Sequence, residues 1–278
     1  MTLSDICSYT FYLLLHLTTY TLLFSLNDTF PTKFSITYQF FLYITSITSY
    51  ILLIITKNNP GIIIESLPSL NVDSSIELQP QRISQSESSP LSEKPITNSL
   101  GITFPLKNCT KCNISNLPLR SHHCSRCGYC ISTFDHHCGM IGACIGESNH
   151  LKFLLFLLTQ SINLLLSLIG LFETISNLLN KNNENYFLIP PSVFIVTFVL
   201  LFYFVFCSVL LGFHSYLILT NQTTFEIYHP TKCEYIDLFR QEKKKISKSK
   251  SINLPLSYVY HPFDQGYIKN IKRLWHKQ

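Results

Sequence analysis

Charged residues are scarce in this sequence. Only 13% of its 278 residues are Asp, Glu, Lys or Arg, whereas 46% are hydrophobic and the mean hydropathy is +0.22. An average soluble domain has roughly 25% charged residues, so the composition excludes an ordinary soluble domain and favours a membrane protein. No internal repeat is evident either.

Charge is missing most completely from four long apolar stretches. A helix needs about 20 apolar residues to cross a hydrocarbon core about 30 Å thick. Stretches of that length occupy residues 7–26, 35–56, 153–173 and 193–219. The first lacks the basic segment and the small-residue cleavage site of a signal peptide, so we predict that it spans the membrane. Asn163, in the third, is expected to form a hydrogen bond between helices rather than a functional site.

Aromatic residues are absent between Ser66 and Ser99, a stretch that contains ten serines. Such a segment cannot bury enough apolar surface to offset the entropy lost on ordering, so we predict a disordered linker. It follows a turn signal, Asn-Pro-Gly at residues 59–61, just past the second span.

Cysteine is rare outside one segment. Seven of the ten cysteines lie between residues 109 and 144, interleaved with four histidines. Two C-x2-C pairs, in which one tight turn presents two ligands to zinc, precede the run Asp135-His136-His137-Cys138. A disulfide framework is the alternative. It fits poorly, because this spacing is typical of metal sites and thiols stay reduced in the cytosol.

Eight ligands would complete two tetrahedral zinc sites of three cysteines and one histidine each. The segment offers eight without Cys138: Cys109, Cys112, His123, Cys124, Cys127, Cys130, His137 and Cys144. The remaining thiol follows Asp135 and His136 closely, and Asp, His and Cys are the parts of an activated nucleophile. Alternatively, Cys138 is itself a ligand or a small buried residue, and only the count of eight opposes that interpretation.

The segment resembles the cysteine-rich domain of the DHHC protein S-acyltransferases (palmitoyltransferases), which are named after the tetrad at residues 135–138. The family's P-x-R-x-x-H-C motif appears at residues 118–124, and its C-[VI]-G-x-x-N motif at residues 144–149. Downstream, residues 223–226 match its T-T-x-E motif. Residues 263–270 resemble its pattern of aromatic residues, Gly and Asn near the C-terminus.

This resemblance implies how the ligands pair and what remains for chemistry. One zinc would be held by Cys109, Cys112, His123 and Cys130, and the other by Cys124, Cys127, His137 and Cys144. Both would be structural, since a site closed by four protein ligands leaves no position for water. Asp135, His136 and Cys138 would be catalytic.

The resemblance also implies a reaction. Cys138 would take the acyl group of a long-chain acyl-CoA such as palmitoyl-CoA, with His136 as base, and pass it to a protein cysteine at the bilayer surface. The acyl chain would lie among the four helices, and the T-T-x-E motif would pack against the catalytic domain. Many members have Pro-Trp after the tetrad, where this chain has Gly139-Met140. A catalytically weak or inactive zinc-stabilised membrane adaptor is therefore the alternative.

The distribution of positive charge predicts the orientation. The loops at residues 27–34 and 177–192 hold one lysine each, and the other nineteen of the 21 Lys and Arg lie on the opposite side or at its membrane edge. The positive-inside rule then places both termini and the cysteine-rich segment in the cytosol. The basic run at residues 240–250 is expected to be a solvated loop or to contact anionic lipid.

Near the C-terminus, an amphipathic helix is predicted. Its apolar residues share one face, opposite its cations: Tyr267, Ile271, Leu274 and Trp275 against Lys269, Lys272 and Arg273. Such a helix suits the membrane interface or packing on the catalytic domain.

The sequence thus predicts an all-α integral membrane protein with four transmembrane helices and a small cytosolic two-zinc module. Its segments would be a first transmembrane pair (1–61), a disordered linker (62–100), the zinc module (101–150), a second transmembrane pair (151–222) and a cytosolic tail (223–278). A nucleic-acid partner is excluded, because the module lies between membrane spans. The expected partners are the bilayer, acyl-CoA and proteins with accessible cysteines, in the endomembrane system or the plasma membrane.

Overall fold

The computed structural model describes residues 10, 12–17, 19–21, 35–63, 96–97, 103–104, 107–181, 191–248 and 261–275. Within these residues the protein is mostly helical, and short strands make up the cysteine-rich segment.

Three long helices dominate the described chain: α1 (Ser35–Lys57), α2 (His150–Lys181) and α3 (Pro191–Thr220). By length and composition, each is able to cross a membrane, over Tyr38–Lys57, His150–Ser176 and Val193–Thr220. These helices correspond to the second, third and fourth predicted spans. The first predicted span, residues 7–26, lies largely outside the described residues, although those described between 10 and 21 are helical.

The connection between α2 and α3 is shorter than the predicted loop at residues 177–192. α2 continues to Lys181, and α3 already begins at Pro191. Polar residues follow the apolar span of α2. They end the part that is able to lie in the membrane, but the helix continues through them, since Asn and Lys are tolerated in helices. Proline is favoured in the first helical turn, where a backbone N–H has no partner. The predicted loop therefore agrees with the candidate membrane spans, which end at Ser176 and begin at Val193, but the helices extend into it at both ends.

Polar side chains link α1 to α2 within the helix bundle. The side-chain amide of Asn163 donates to Thr45 Oγ1 at 2.9 Å and to Ser46 Oγ at 2.7 Å. Ser49 Oγ donates to Gln160 Oε1 at 2.8 Å. The predicted interhelical bond of Asn163 is confirmed. Because a polar group finds no water in hydrocarbon, such bonds favour one register of the two helices.

Short antiparallel strands form the cysteine-rich module. β1 (Ile62–Ile63) follows α1, and β2 (Ile96–Thr97) pairs with β3 (Thr103–Phe104). Three hairpins come next: β4 (Lys107–Cys109) with β5 (Ile114–Leu117), β6 (His122–Cys124) with β7 (Tyr129–Ile131), and β8 (His136–Cys138) with β9 (Ala143–Ile145). β1 also pairs with β7, so the chain just past α1 belongs to a three-stranded sheet with β6 and β7.

The predicted disordered linker at residues 62–100 falls mostly outside the described residues. The prediction is wrong at residues 62–63 and 96–97, which form β1 and β2. Isoleucine and threonine are β-branched and favour strands. The prediction of disorder is based on the serine-rich residues between these two ends, which have a different composition.

Asn149 joins the module to the end of α1. Its amide nitrogen donates to Thr56 O at 2.8 Å, and its amide oxygen accepts from Gly146 N at 2.8 Å. Thr56 O belongs to the last turn of α1, where carbonyls lack partners within the helix. Gly146 lies directly against the turn that follows α1, where a Cβ would clash with Pro60 O.

The C-terminal part consists of α4 (Thr224–Tyr228), a 3-10 turn (Pro230–Lys232), α5 (Glu234–Lys248) and α6 (Tyr267–Trp275). The basic run expected as a loop is helical as far as Lys248, because Lys, Gln and Glu are good helix formers. α6 lies on the end of α3: Asn270 is buried and donates to Leu219 O at 2.6 Å. The side chains of Tyr267 and Ile268 are exposed, and those of Leu274 and Trp275 are outside the described part.

Gly146→Ala tests the contact between the module and α1. We expect it to destabilise the detergent-solubilised protein by roughly 1–3 kcal/mol, because an added methyl group displaces closely packed backbone. Gly212→Ala in α3 is the control, since an added Cβ there meets no atom within 4 Å and alanine favours a helix. Thermal unfolding followed by size-exclusion chromatography measures both, and a Gly146→Ala midpoint equal to the parent's would contradict the contact.

Candidate catalytic and zinc sites

The first group of possible metal ligands lies between two hairpins. It consists of Cys109, Cys112, His123 and Cys130, whose ligand atoms all lie within 4.8 Å of one another. His123 Nδ1 is 3.2 Å from Cys112 Sγ and 3.9 Å from Cys130 Sγ. Antiparallel pairing of β6 with β7 places His123 directly opposite Cys130.

The second group is built in the same way from the next hairpins. It consists of Cys124, Cys127, His137 and Cys144. His137 Nδ1 is 3.6, 3.3 and 3.7 Å from the sulfur atoms of Cys124, Cys127 and Cys144, respectively. Pairing of β8 with β9 places His137 opposite Cys144. Gly128, with a φ of +77°, follows Cys127 and closes the turn by donating its N–H to Cys124 O at 2.8 Å.

Both groups fit a tetrahedral zinc ion. Zn–S bonds of about 2.3 Å and Zn–N bonds of about 2.0–2.1 Å imply S–N separations of about 3.6 Å and S–S separations of about 3.8 Å. The observed S–N distances bracket that value, whereas Cys127 Sγ is 3.3 Å from Cys144 Sγ, closer than two sulfur ligands on one ion would lie. None of the nine described cysteines forms a disulfide in the structure. The two groups are those that the resemblance implies.

Asp135, His136 and Cys138 lie at the start of the β8–β9 hairpin. Asp135 is buried, and its Oδ2 accepts from His136 Nδ1 at 2.6 Å. Asp135 Oδ1 accepts from Thr224 N at 2.7 Å, and Oδ2 also accepts from Thr224 Oγ1 at 2.8 Å. The carboxylate is thus held by the first turn of α4 as well as by His136.

The surroundings of these residues shift two pKa values in opposite directions. Burial alone would raise the pKa of Asp135, but the hydrogen bond from His136 and the neighbouring imidazoles hold it well below its usual range. Burial alone would lower the pKa of His136, but its hydrogen bonds with Asp135 and Cys138 raise it to about 9. The carboxylate therefore stays ionised at neutral pH while the imidazole carries its proton. Such a cation is a counter-ion for a thiolate.

Cys138 faces apolar side chains on its other side. It is buried in a cluster with residues from the helices below the module, including Leu53 at the end of α1 and Phe153 and Phe156 at the start of α2. Met140, which stands where many DHHC proteins have tryptophan, packs against the same cluster. The sulfur thus lies at a boundary between a polar hydrogen-bond network and the apolar bundle.

Comparison with known proteins identifies the domain. Residues 102–231 match the sequence profile of the DHHC palmitoyltransferase family. This part of the chain is therefore similar to the DHHC domain of that family. The chain is 36% identical over 177 residues to a provisionally named ZDHHC-type palmitoyltransferase 7 of Dictyostelium discoideum. It is 35% identical over 182 residues to palmitoyltransferase ZDHHC14 of Mus musculus. The matched segments cover 60% and 61% of this chain but only 35% of either relative, so the chain spans about a third of their length.

A buried ion pair joins the DHHC module to the C-terminal part. Arg120 Nε and Nη2 donate to the two oxygens of Glu226 at 2.7 and 2.6 Å, and both side chains are buried. Tyr235 Oη donates to Glu226 Oε1 at 2.7 Å, and the Arg120 guanidinium lies 4.6 Å from the centre of the Phe263 ring. Burial opposes ionisation of Glu226, but Arg120 outweighs it and holds the pKa of Glu226 well below its usual range.

The T-T-x-E motif therefore has two roles in the fold. Thr223 and Glu226 form a capping box, since Glu226 N donates to Thr223 Oγ1 and Thr223 N donates to the Glu226 carboxylate. Thr224 contacts Asp135, and Glu226 contacts Arg120. The motif therefore packs against the cysteine-rich module, as the resemblance implies, and also caps the helix.

Two histidines next to the tetrad were not predicted as site residues. His214 on α3 and His150 at the start of α2 are buried, and His214 Nδ1 is 3.0 Å from His150 Nε2. His214 Nδ1 is also 4.0 Å from Asp135 Oδ2. An ionisable side chain inside an apolar span is itself a signal of function, and His214 in the fourth span carried that signal.

Metal analysis of the purified protein tests the two ligand groups. We expect about two zinc ions per chain, one for each set of four ligands. Cys144→Ala should lower the zinc content and the yield of folded protein, because metal binding contributes free energy of folding. Cys207→Ala is the control, since that free cysteine lies in α3 among apolar side chains and outside both groups. A folded parent with one zinc ion or none would contradict the pairing.

Proposed function

We propose that this protein is a protein S-acyltransferase that moves a long-chain acyl group from acyl-CoA to protein cysteines. Palmitoyl is the expected acyl group. The observation that carries the proposal is the position of Cys138. It is the one cysteine between residues 109 and 144 outside both ligand groups. It follows Asp135 and His136, which are joined by a 2.6 Å hydrogen bond, and it belongs to an apolar cluster.

The first step would load the enzyme. The Cys138 thiolate attacks the thioester carbonyl of acyl-CoA, so that a new S–C bond forms and the bond to the CoA sulfur breaks. His136 gives its proton to the leaving CoA thiolate. Asp135 stays ionised and keeps the His136 ring oriented through its Nδ1 hydrogen bond.

The second step would transfer the acyl group. The thiol of a protein substrate gives its proton to His136, and its thiolate attacks the carbonyl of the Cys138 thioester. The new thioester forms on the substrate, and Cys138 leaves as a thiolate beside the protonated His136. The two steps together consume no proton, and the enzyme returns to its initial state.

The apolar cluster suits a long acyl chain. Leu53, Phe153 and Phe156 are buried beside the sulfur, and the candidate membrane helices extend from there. Each buried methylene group contributes about 0.8 kcal/mol, so a long chain would be held far more strongly than an acetyl group. Met140 offers an adaptable apolar contact at the start of the chain.

We infer two structural zinc ions, held by Cys109, Cys112, His123 and Cys130 and by Cys124, Cys127, His137 and Cys144. When bound, each ion cross-links the hairpins that carry its ligands and takes no part in the reaction. Short strands of two to four residues bury little apolar surface on their own, which supports a need for such cross-links.

The proposal includes a topology with four membrane spans and a cytosolic module. The run at residues 7–26 would join the three candidate helices, and the positive charges support a cytosolic position for both termini. The protein would act in the endomembrane system or the plasma membrane, on proteins with accessible cysteines. The chain would be divided after residues 61, 100, 150 and 222 into the first transmembrane pair, the linker, the zinc module, the second transmembrane pair and the cytosolic tail.

Acylation of Cys138 is the direct test. Purified protein incubated with labelled palmitoyl-CoA should carry label that neutral hydroxylamine removes, and Cys138→Ala should lose it. Cys207→Ala, which removes a free cysteine within α3, should keep the label. Equal hydroxylamine-sensitive label on Cys138→Ala would refute the assignment. Absence of label on a folded, zinc-loaded parent would favour the adaptor instead.

His136 and His137 are neighbours with different expected roles. His136→Ala should slow acylation roughly 10²–10⁴-fold while zinc content stays at the parent value, since general acid–base assistance is worth that factor. His137→Ala should lose zinc and destabilise the module, because Nδ1 of His137 lies in the second ligand group. Mutants that are alike in zinc content, or acylation of His136→Ala at the parent rate, would show that this division of roles is wrong.

A further inference from the structure

We propose that His214 is a positioning residue for the Asp135–His136 pair and that His150 holds it in place. The inference rests on the proposed acyltransferase function, which it deepens. It adds a histidine pair from two candidate membrane helices to a site whose other residues lie in the module and in α4.

His214 lies next to Asp135, on the side of the carboxylate that faces α3. Thr224 N donates to Oδ1, whereas Thr224 Oγ1 and His136 Nδ1 donate to Oδ2. His214 Nδ1 approaches Oδ2 to 4.0 Å from α3. Hydrogen bonds from Thr224 and His136 hold the carboxylate, and the His214 ring lies beside it from α3. This neighbour limits how far the carboxylate, and the His136 ring that is bonded to it, can turn.

His150 determines the orientation of His214. The 3.0 Å separation of His150 Nε2 and His214 Nδ1 is a hydrogen bond in which one nitrogen donates and the other accepts. His150 begins α2, where its own N–H donates to Gly146 O at 3.1 Å. The pair thereby ties the start of α2 to α3, directly below β8.

Burial argues that the pair has a role beyond filling space. The exposed fraction is 2% for His214 and 7% for His150. Buried ionisable groups in apolar helices are costly, and they persist mainly where they serve a site. Here the His214 ring lies beside the reactive hairpin, with its centre 5.6 Å from that of the His136 ring.

A third metal site would be another interpretation of this cluster. Ligand atoms of Asp135, His136 and His214 all lie within 4.8 Å of one another. However, His136 Nδ1 is only 2.6 Å from Asp135 Oδ2. Two such ligands on one tetrahedral zinc ion lie about 3.3 Å apart, so the short distance is that of a hydrogen bond.

The contributions of the His214 ring shape and of its nitrogen can be tested separately, because the ring packs against apolar side chains. Phe153 meets the ring edge-on at 4.9 Å between centres, and Phe213 lies at 5.5 Å. His214→Phe keeps an aromatic ring in this environment and removes the nitrogen. His214→Asn loses the ring but keeps a polar atom near the position of Nδ1.

The experiment compares these two variants in the full chain. Single-turnover acylation by palmitoyl-CoA should be about tenfold to a hundredfold slower for His214→Phe, because small misplacements of catalytic groups have effects of that size. KM for palmitoyl-CoA and zinc content should stay at the parent values. His214→Asn should recover most of the rate. A merely structural role predicts the reverse order, with Asn worse than Phe, and that result would overturn the proposal.

Alkylation of Cys138 by iodoacetamide, followed by peptide mass spectrometry, separates this inference from the proposed function. It reports the reactivity of the thiol without acyl-CoA and should also be slower for His214→Phe. A parent that alkylates but never forms a thioester defeats the acyltransferase proposal. Equal alkylation rates for the parent and His214→Phe defeat the proposal that His214 positions the Asp135–His136 pair.

If His214→Phe does not fold, the variants His150→Phe and His150→Gln are compared instead. Only Gln keeps a polar atom near the position of Nε2. Equal alkylation rates for these two variants would likewise overturn the proposal.

Discussion

The buried carboxylate of Asp135 constrains the structure more than any other single group. A charge removed from water is tolerated only where donors replace the water. For Asp135 the donors are His136 on β8 and Thr224 on α4, and His214 on α3 lies beside the carboxylate at 4.0 Å. Each belongs to a different part of the chain. The carboxylate is therefore satisfied only when the module and the C-terminal segment are both in place, and the helix bundle packs beside it through His214.

The buried ion pair of Arg120 and Glu226 is subject to the same constraint, because its charges are also removed from water. Removing either partner would leave a buried charge without compensation, which costs roughly 3–5 kcal/mol in comparable cases. Because α4 supplies both Thr224 and Glu226, the ion pair that anchors α4 also presents the donors that hold Asp135. Anchoring of the C-terminal part and geometry of the tetrad are thus coupled through five helical residues.

Cys138 lies where this polar network meets the apolar ends of the helices. Asp135 and His136 are on one side, and Phe153 and Phe156 are on the other. A long-chain thioester has the same division, with a polar reacting group joined to an apolar chain. The position of the sulfur at this boundary is therefore suited to the proposed reaction, and Gly139-Met140 does not remove apolar contact from it.

The division of the ligands into two groups and the role of the tetrad were implied by the family resemblance. Sequence spacing by itself predicted the eight ligands and three of the long helices, because C-x2-C turns and apolar runs are local. It did not determine the ordered ends of the linker or the helical basic run, where composition misrepresented local strand and helix preference. Only the tertiary structure decided that Asn149 reaches Thr56, that Arg120 meets Glu226, and that His150 and His214 lie beside Asp135. These contacts join residues up to 106 positions apart. Periodicity and spacing describe neighbours along the chain, whereas such contacts depend on how α2, α3 and the module pack in space.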